Sequence, residues 1–457
     1  MQKFTKYYFI GIGGIGMSAV ARYFNSKGMK VAGYDRVQSI ITKELADENI
    51  AIVYDDALSA VPQQFLDAKN TLIIRTPAVP SSHPQLKYFE ENNFTIKKRS
   101  EILNEITANS KAICVAGTHG KTTTSTMIAH LLQQSPVQCS AFLGGIANNY
   151  GTNLLLSNES NYVVVEADEY DRSFHNLSPY FAVITSADPD HLDIYGTAKK
   201  YYQAFEIFTS LIKSGGALLM RKNVNLNLQL KKGVKFYTYS MNEKADFFAE
   251  NIRFEKGELL FDFVAPTDRI ADVRLGVPIK INVENAVAAM AVAWLLGVTK
   301  DELRTGISSF SGIYRRFNIV LKEKKTVFID DYAHHPEEIR ASIASIKQLF
   351  PEKRVTGIFQ PHLYSRTRDF APEFANALSL LDELILLDIY PAREEPIEGV
   401  SSKIIFDKVS IENKILCSKD ELLPLLEKRN FQVLITLGAG DIEYFVPKIR
   451  EILKKKK

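Results

Sequence analysis

The sequence predicts an α/β protein of three domains with largely parallel sheets. Three observations carry this reading. Short apolar runs alternate with helical stretches, the pattern of βαβ units. Many of these runs end in glycine-rich or polar residues, as strands do at the ligand edge of an open parallel sheet. A chain of 457 residues is also too long for one core, given a prior of about 150 residues per domain.

Composition narrows the class. Hydrophobic residues make up 46% of the chain against 24% charged, which is ordinary for a protein that buries its cores. A net charge of +3 is too small to imply a nucleic-acid or membrane surface, and the basic tail at 454–457 reads as a solvated helix end. Cys114, Cys139 and Cys417 form no C-x-x-C pair, so neither a disulfide framework nor a zinc site is expected, and a reducing cytoplasm fits. No signal segment and no run of about 18 apolar residues is present, so a soluble, unprocessed chain is expected.

Taken in order, residues 7–10 form a strand that empties into Gly11-Ile12-Gly13-Gly14-Ile15-Gly16. A helix through Met17, Val20, Ala21 and Phe24 ends near Gly28, and a second strand, 30–34, stops at Asp35. This is a complete βαβ unit with G-x-G-x-x-G in its proper place and an acid about 20 residues on. It makes the first domain Rossmann-like and Gly11, Gly13, Gly14, Ile15, Gly16 and Asp35 candidates for a nucleotide; a tight turn without ligand is the plain alternative. Strand 72–75 leads into the stiff loop Thr76-Pro77-Ala78-Val79-Pro80 on the same edge. Composition changes near Arg99-Ser100-Glu101, and the first domain is taken as 1–107.

The stretch ICVAGTHGKTTT, residues 113–124, organises the middle of the chain. A buried strand at 112–116 opens into Gly117-Thr118-His119-Gly120, whose small residues let backbone N–H groups face an anion. Lys121 follows, and a helix with Met127, Ile128 and Leu131 on its apolar face places its positive end where phosphates would lie. Lys121 would reach the β- and γ-phosphates, and the Thr122 hydroxyl would complete a Mg²⁺ shell. Val115 stands where the longer P-loop pattern has its first glycine, so the match is to the shorter G-T-x-G-K-T form. The plain alternative is a glycine turn with a surface lysine.

Residues 144–146 and 151–153 read as a glycine and asparagine loop. Run 162–165 leads into Glu166, Asp168, Glu169 and Asp171, four carboxylates that would repel one another unless cations stand among them. Strand 180–185 is followed by Asp188-Pro189-Asp190-His191-Leu192-Asp193, with His191 at the end of a third strand finishing in polar chemistry. Short strands at 217–220, 252–254 and 259–263 follow, the last two as a hairpin, then a helix at 282–296 with Asn285 near its start. These make a central P-loop ATPase-like domain, 108–312. Arg315 and Arg316 sit at an interdomain link, where solvated and functional readings both stay open.

The last domain, 313–457, is α/β again and Rossmann-like. Strands 327–330, 354–360, 384–387 and 433–437 lead into Asp331-Tyr332-Ala333-His334-His335-Pro336, Pro361-His362-Leu363-Tyr364-Ser365-Arg366, Asp388-Ile389-Tyr390-Pro391 and Gly438-Ala439-Gly440-Asp441. Simple solvation would not need histidines and arginines at those strand ends.

The motifs together resemble the Mur ligases. FIGIGGIGMS at 9–18, GTHGKTTT at 117–124, EADEYD at 166–171, DHLD at 190–193, RRF at 315–317, DDYAHHP at 330–336, FQPHLYSRTRD at 359–369, DIYPAREEPI at 388–397 and LGAGD at 437–441 occur in one order from end to end, and the first and sixth point to the alanine-adding branch. The resemblance implies a UDP-binding domain, an ATP-binding domain and a domain that brings the amino acid. It implies an acyl phosphate made from ATP on the muramoyl carboxylate of UDP-N-acetylmuramate, then attack by L-alanine. It assigns Lys121, Glu166 and His191 to catalysis, and Gly117, Thr118, Gly120, Lys121, Thr122, Thr123, Asn285, Arg316 and Asp331 to ATP. Gly11 to Gly16, Asp35 and Thr76 go to the UDP substrate, and His334, His362 and Arg366 to alanine. Thr122, Glu166 and His191 would hold Mg²⁺. Several relatives carry a carbamylated lysine on the helix after the D-H-x-D motif; here Glu206 stands there, expected to supply the metal-bridging carboxylate directly. Leu363 stands where many alanine-adding ligases have arginine, which leaves Arg366 as the carboxylate partner.

Overall fold

The structure, a computed structural model, describes residues 4–190, 192–255, 257–392 and 394–456. Three sheets carry the chain, distributed over two compact units. The first unit is Met1–Arg253, Leu260–Gly276 and Ile281–Ser311; the second is Phe254–Leu259, Val277–Lys280 and Gly312–Lys457.

The N-terminal sheet has five parallel strands in the order Ala51–Val53, Lys30–Tyr34, Lys6–Ile10, Thr71–Arg75, Thr95–Lys98. Strand order reverses beside Lys6–Ile10, so the glycine loop that follows it opens at a topological switch point, where open sheets bind ligands. The helix Ile15–Ser26 that leaves this loop buries Met17, Val20 and Phe24.

The second sheet has ten strands, and Lys111–Ala116 lies inside it between Phe181–Ile184 and Tyr162–Glu166, parallel to both. Its apolar sequence follows from burial on both faces, since Ala112 to Ala116 are without solvent exposure. Expected to be parallel, the sheet is parallel only through its centre. Thr152–Leu155 runs antiparallel to Ser140–Ala147 at one edge, and Arg269–Arg274 runs antiparallel to Glu258–Val264 at the other. Gly144, Gly145 and Ile146, expected in a loop, lie within the strand Ser140–Ala147. That strand pairs with Tyr162–Glu166 through Ala141 and Phe142, and its neighbour supplies the reason for the glycines, described below.

The two sheets of the first unit share one apolar core, from Phe9, Val20 and Ile74 through Cys114 to Phe205. A polar clamp crosses the same boundary. Arg22 is buried and donates to Glu48 (2.7 Å), Glu44 (2.8 Å) and Asn153 (2.6 Å). Asn153, wholly buried, donates in turn to Ser18 Oγ (2.9 Å) and the Ile15 carbonyl. The start of the glycine-loop helix is thereby fixed to the edge strand of the second sheet.

The second unit holds a six-stranded sheet, Asn318–Lys322, Val327–Asp331, Val433–Leu437, Val355–Phe359, Glu383–Leu387, Lys414–Cys417, parallel except for its first strand. Helices cover it, among them Pro336–Leu349, which buries Ile339, Ile343 and Ile346 as its spacing predicts. Among the described residues no helix is long and apolar enough to cross a membrane.

Asn153→Ala removes the acceptor of a buried guanidinium and two donors at once. It is expected to lower stability by about 1–3 kcal/mol, read from denaturant unfolding of the full chain. No change would mean that the clamp carries no stability.

Candidate active site

The loop Gly117–Gly120 joins the central strand to the helix Lys121–Gln133. Gly120 takes the left-handed conformation (φ +82°) and Gly117 has φ +139°, with the place of its missing Cβ 2.1 Å from Thr185 Oγ1. No other residue allows the chain to turn this tightly against the neighbouring strand end. Polar groups of that strand end then pin the loop: His119 N–H donates to Ser186 Oγ (2.9 Å), and the Thr185 hydroxyl donates to the His119 carbonyl. Thr118 Oγ1 donates to the Asp188 carbonyl (2.7 Å) and lies 2.8 Å from the Tyr201 hydroxyl. The helix begins without a side-chain cap and without an acid in its first turn. Its positive end is therefore free to face an anion.

Each side chain of the helix start has a defined neighbour. Lys121 Nζ donates to the Gly117 carbonyl (2.6 Å), the Thr118 carbonyl (3.4 Å) and Glu169 Oε1 (2.9 Å). The Thr122 hydroxyl donates to Glu166 Oε2 at 2.9 Å. Thr123 is half-buried beside them. Thr124 donates to Asn285 Oδ1 (3.2 Å), so the helix Ile281–Leu295 presents Asn285 to the phosphate loop. Gly144 explains its own identity here: a Cβ would stand 1.8 Å from Glu166 Oε2. The glycine strand makes the space in which that carboxylate lies.

The four carboxylates after Tyr162–Glu166 separate rather than crowd. Glu166 takes the Thr122 hydroxyl, Glu169 takes Lys121, and Asp168 lies 3.8 Å from the Arg99 guanidinium. Asp171 accepts the Ser173 amide at 3.0 Å. Two of the cations expected among them are thus side chains of the protein. Glu169 was grouped with the others by sequence but given no role. It is the one that is buried, and burial pushes its carboxyl up while Lys121 pulls it down.

Predicted metal ligands are only partly placed. His191 lies outside the described residues. Glu206, on the helix Ala198–Ser210, accepts the Asn227 amide at 3.1 Å. Among the described residues no three His, Cys, Asp or Glu side chains gather closely enough to hold a metal ion. A hydroxyl and one carboxylate at 2.9 Å, in a recess that a Cβ on Gly144 would fill, do fit Mg²⁺, which binds through one or two carboxylates and keeps several waters.

In the N-terminal sheet the predicted nucleotide residues come together. Gly13 N–H donates to Asp35 Oδ2 (2.8 Å), and Gly11 N–H to the Tyr34 carbonyl (2.8 Å). Thr76 Cγ2 would lie 2.4 Å from a Cβ on Gly11. Gly14 precedes an uncapped helix whose first residues are Ile15 and Gly16, and Arg99 lies over Gly16, its guanidinium 3.0 Å from where a Cβ would be. Arg99 was missed by sequence reasoning, since nothing local marks an arginine that arrives from the far side of the sheet.

The second unit gathers the remaining candidates. His334 Nδ1–H donates to the Tyr332 carbonyl (2.9 Å), and burial holds its imidazole below the usual histidine range. Its ring lies 6.1 Å from that of His362, which stacks on Tyr390 at 5.8 Å. Arg366 has a buried Nη1 without a hydrogen-bond partner. Leu363 between them has φ +72° and ψ 137°, a strained backbone for a leucine. The paired arginines divide: Arg315 is buried against Asp330 (3.5 Å) and Glu443 (3.0 Å), while Arg316 is exposed. The Asp331 carboxyl bonds to Ser342 and is pushed up to about 6 by burial.

Comparison with known proteins agrees along the whole length. Three family models match in chain order: the Mur ligase family catalytic domain at 6–111, the Mur ligase middle domain at 115–293, and the Mur ligase glutamate ligase domain at 315–439. The UDP-N-acetylmuramate–L-alanine ligase of Parabacteroides distasonis is 58% identical over 455 residues, covering 100% of this chain and 98% of that protein. That of Phocaeicola vulgatus is 57% identical, covering 98% of each. Among solved structures, the UDP-N-acetylmuramate–alanine ligase of Thermotoga maritima aligns with a TM-score of 0.84 at 29% identity, over 99% of this chain and 100% of that one. A murein peptide ligase from Psychrobacter arcticus shares the fold with a TM-score of 0.69 at 20% identity, over 98% of both chains.

Asp331 yields a pH prediction. A carboxyl whose folded pKa is raised from 3.8 to about 6 favours the folded state in its protonated form. Its contribution is present below about 4, is lost as pH rises towards about 6, and stays lost above. Asp331→Asn should therefore gain stability relative to the unmodified chain between about pH 4 and pH 7, by an amount on the order of 2–3 kcal/mol. A flat difference across that range, in paired denaturant titrations, would refute the shift.

Proposed function

The chain belongs to the Mur ligase family, and from that premise we propose that it joins L-alanine to the carboxylate of UDP-N-acetylmuramate, with ATP converted to ADP and phosphate. The enzyme is an ATP-dependent acid–amino-acid ligase of peptidoglycan precursor synthesis. The observation that carries the site assignment is one juxtaposition: an uncapped helix start, Lys121 and the Thr122–Glu166 contact meet at the end of one central strand.

The difficulty of the reaction is electrostatic, because a carboxylate must attack a polyphosphate and both are anions. The amides of Gly117 to Thr123 and the ammonium of Lys121 receive the phosphates and stabilise the charge that builds on the transferred group. Thr122 and Glu166 hold Mg²⁺, with His191 and Glu206 as further ligands. When bound there, the metal neutralises phosphate charge as a Lewis acid. Asn285 supports the phosphate loop, and Arg316 and Asp331 complete ATP binding by similarity. Gly11, Gly13, Gly14, Ile15, Gly16, Asp35 and Thr76 hold the UDP group at the switch point of the first sheet. Arg366, with an unpartnered buried N–H, takes the alanine carboxylate, and His334 and His362 line its approach. Attack of the amine on the acyl phosphate then forms the amide and releases phosphate.

The domains are read as 1–107 for the UDP substrate, 108–312 for ATP and 313–457 for the amino acid. Parts of the site lie on all three, so closure accompanies binding. A cytoplasmic location fits three buried cysteines that are all free thiols and substrates that are all nucleotides or amino acids. Nucleic acid and membrane have no part in this reading.

Phosphate release by the purified protein should require UDP-N-acetylmuramate, L-alanine, ATP and Mg²⁺ together; release without an amino acid would remove the proposal. A panel with glycine and serine reads selectivity in the same assay. Lys121→Ala is expected to lower kcat by about 10²- to 10³-fold with the fold intact. Glu206→Ala should also lose activity and require more Mg²⁺ for half-maximal rate, and a fully active variant would take Glu206 out of the metal site.

A further inference from the structure

The P-loop lysine is already fully engaged. An ammonium has three N–H donors, and Lys121 has three acceptors: the Gly117 carbonyl at 2.6 Å, the Thr118 carbonyl at 3.4 Å and Glu169 Oε1 at 2.9 Å. To reach a phosphate it must release at least one of them. The two carbonyls belong to the loop itself and carry no charge. Glu169 differs in kind, since its side chain is only 2% exposed and its partner's 15%. A charged pair so little exposed to water is weakly screened.

Glu169 is also held firmly in place. Its carbonyl accepts the buried Tyr195 hydroxyl, and the Tyr195 ring lies under the Arg172 guanidinium at 4.8 Å. Its second carboxylate oxygen, Oε2, is buried without a hydrogen-bond partner. A carboxylate with one orphaned oxygen gains little from its surroundings apart from Lys121. Glu166, three residues earlier, shows the contrast: it turns to the Thr122 hydroxyl and leaves the lysine alone.

Resting on the ATP site proposed above, we propose that Glu169 is a positioning residue, the resident counter-ion of Lys121 that competes with the nucleotide phosphates for the ammonium. Nucleotide binding then exchanges one anion for another at Nζ. The cost of that exchange weakens ground-state affinity and keeps the lysine in place before ATP arrives. Glu169 touches no substrate in this scheme and acts through Lys121 alone.

The test is direct binding of ADP, and of ATP with Mg²⁺, by calorimetry on the full-length enzyme, with steady-state KM values beside it. Glu169→Gln keeps volume and an acceptor but removes the charge. It is expected to bind ADP about 5- to 10-fold more tightly, to lower the KM for ATP in parallel, and to leave the KM for UDP-N-acetylmuramate unchanged. Glu169→Asp keeps the charge and should restore nucleotide affinity to within about twofold of the unmodified enzyme. Unchanged or weaker ADP binding by a folded Glu169→Gln enzyme overturns the inference. If Glu169→Gln does not fold, Glu169→Asp decides: its longer reach to Lys121 weakens the competition, so ADP binding looser than in the unmodified enzyme overturns it and equal or slightly tighter binding sustains it. Lys121→Ala separates the two levels of the reading. If the unmodified enzyme binds no ADP, or Lys121→Ala binds it equally well, the ATP site itself is wrong. If ADP binding depends on Lys121 but not on the charge of Glu169, only the counter-ion role fails.

Discussion

The first unit depends on one turn, the passage from the buried strand Lys111–Ala116 through Gly117–Gly120 into the helix Lys121–Gln133. A helix start without a cap leaves its first amides to water or to a ligand. Neighbouring elements meet that turn with groups suited to it. The strand end at Thr185 and Ser186 fixes the loop, the strand Tyr162–Glu166 supplies Glu166, the strand Ser140–Ala147 withholds a side chain at Gly144, and the helix Ile281–Leu295 brings Asn285. Each of those placements follows from the position of the strand inside a parallel sheet, with a neighbour on either side whose C-terminal end points the same way.

Charge is partitioned around the turn with the same economy. EADEYD reads as a block of four carboxylates, yet the folded chain sends them to four separate partners. Alternation along the chain after the strand accounts for part of this, because successive residues face different ways. Burial decides the rest. Glu169 goes inward only because an ammonium waits there, whereas Asp168 stays partly in water with a distant guanidinium. The Arg22 and Asn153 clamp performs a related task in neutral surroundings, tying the UDP-site helix to the ATP-site sheet through hydrogen bonds that water cannot easily replace.

Sequence made the strand-loop-helix units legible because each is local. Strand Lys30–Tyr34, strand Val433–Leu437 and helix Pro336–Leu349 all fall where hydrophobic period and glycine punctuation put them. Edge strands were not legible: Thr152–Leu155, Lys235–Ser240 and Lys414–Cys417 have half-exposed, irregular patterns that only pairing makes into strands. Gly144 to Ile146 misled for a related reason. Glycine is a turn signal in isolation, and its meaning as room for Glu166 exists only once two strands lie side by side. The candidate site followed the same division. Lys121, Thr122 and Asn285 declared themselves by motif, while Arg99 and the pairing of Glu169 with Lys121 are long-range contacts that no spacing encodes.

Duplicated residues in the second unit show how folding can select among equals. Arg315 and Arg316 are adjacent, as are Asp330 and Asp331, and sequence offers no ground for preferring either member. Burial separates them. Arg315 stacks over Tyr332 at 5.0 Å and pairs with Asp330, which Thr436 also holds at 2.7 Å, so one arginine and one aspartate are consumed in fixing the strand end. Arg316 is left exposed, and Asp331, on the opposite face of the strand, meets only Ser342 from the helix behind it. The members to which similarity assigns ATP contacts are therefore those that the fold does not need for its own neutrality. A buried pair such as Arg315 and Asp330 loses too much when one partner is drawn away for ligand binding to serve as a reversible contact. The neighbour held only lightly can exchange its partner, and that difference in cost is what assigns the roles.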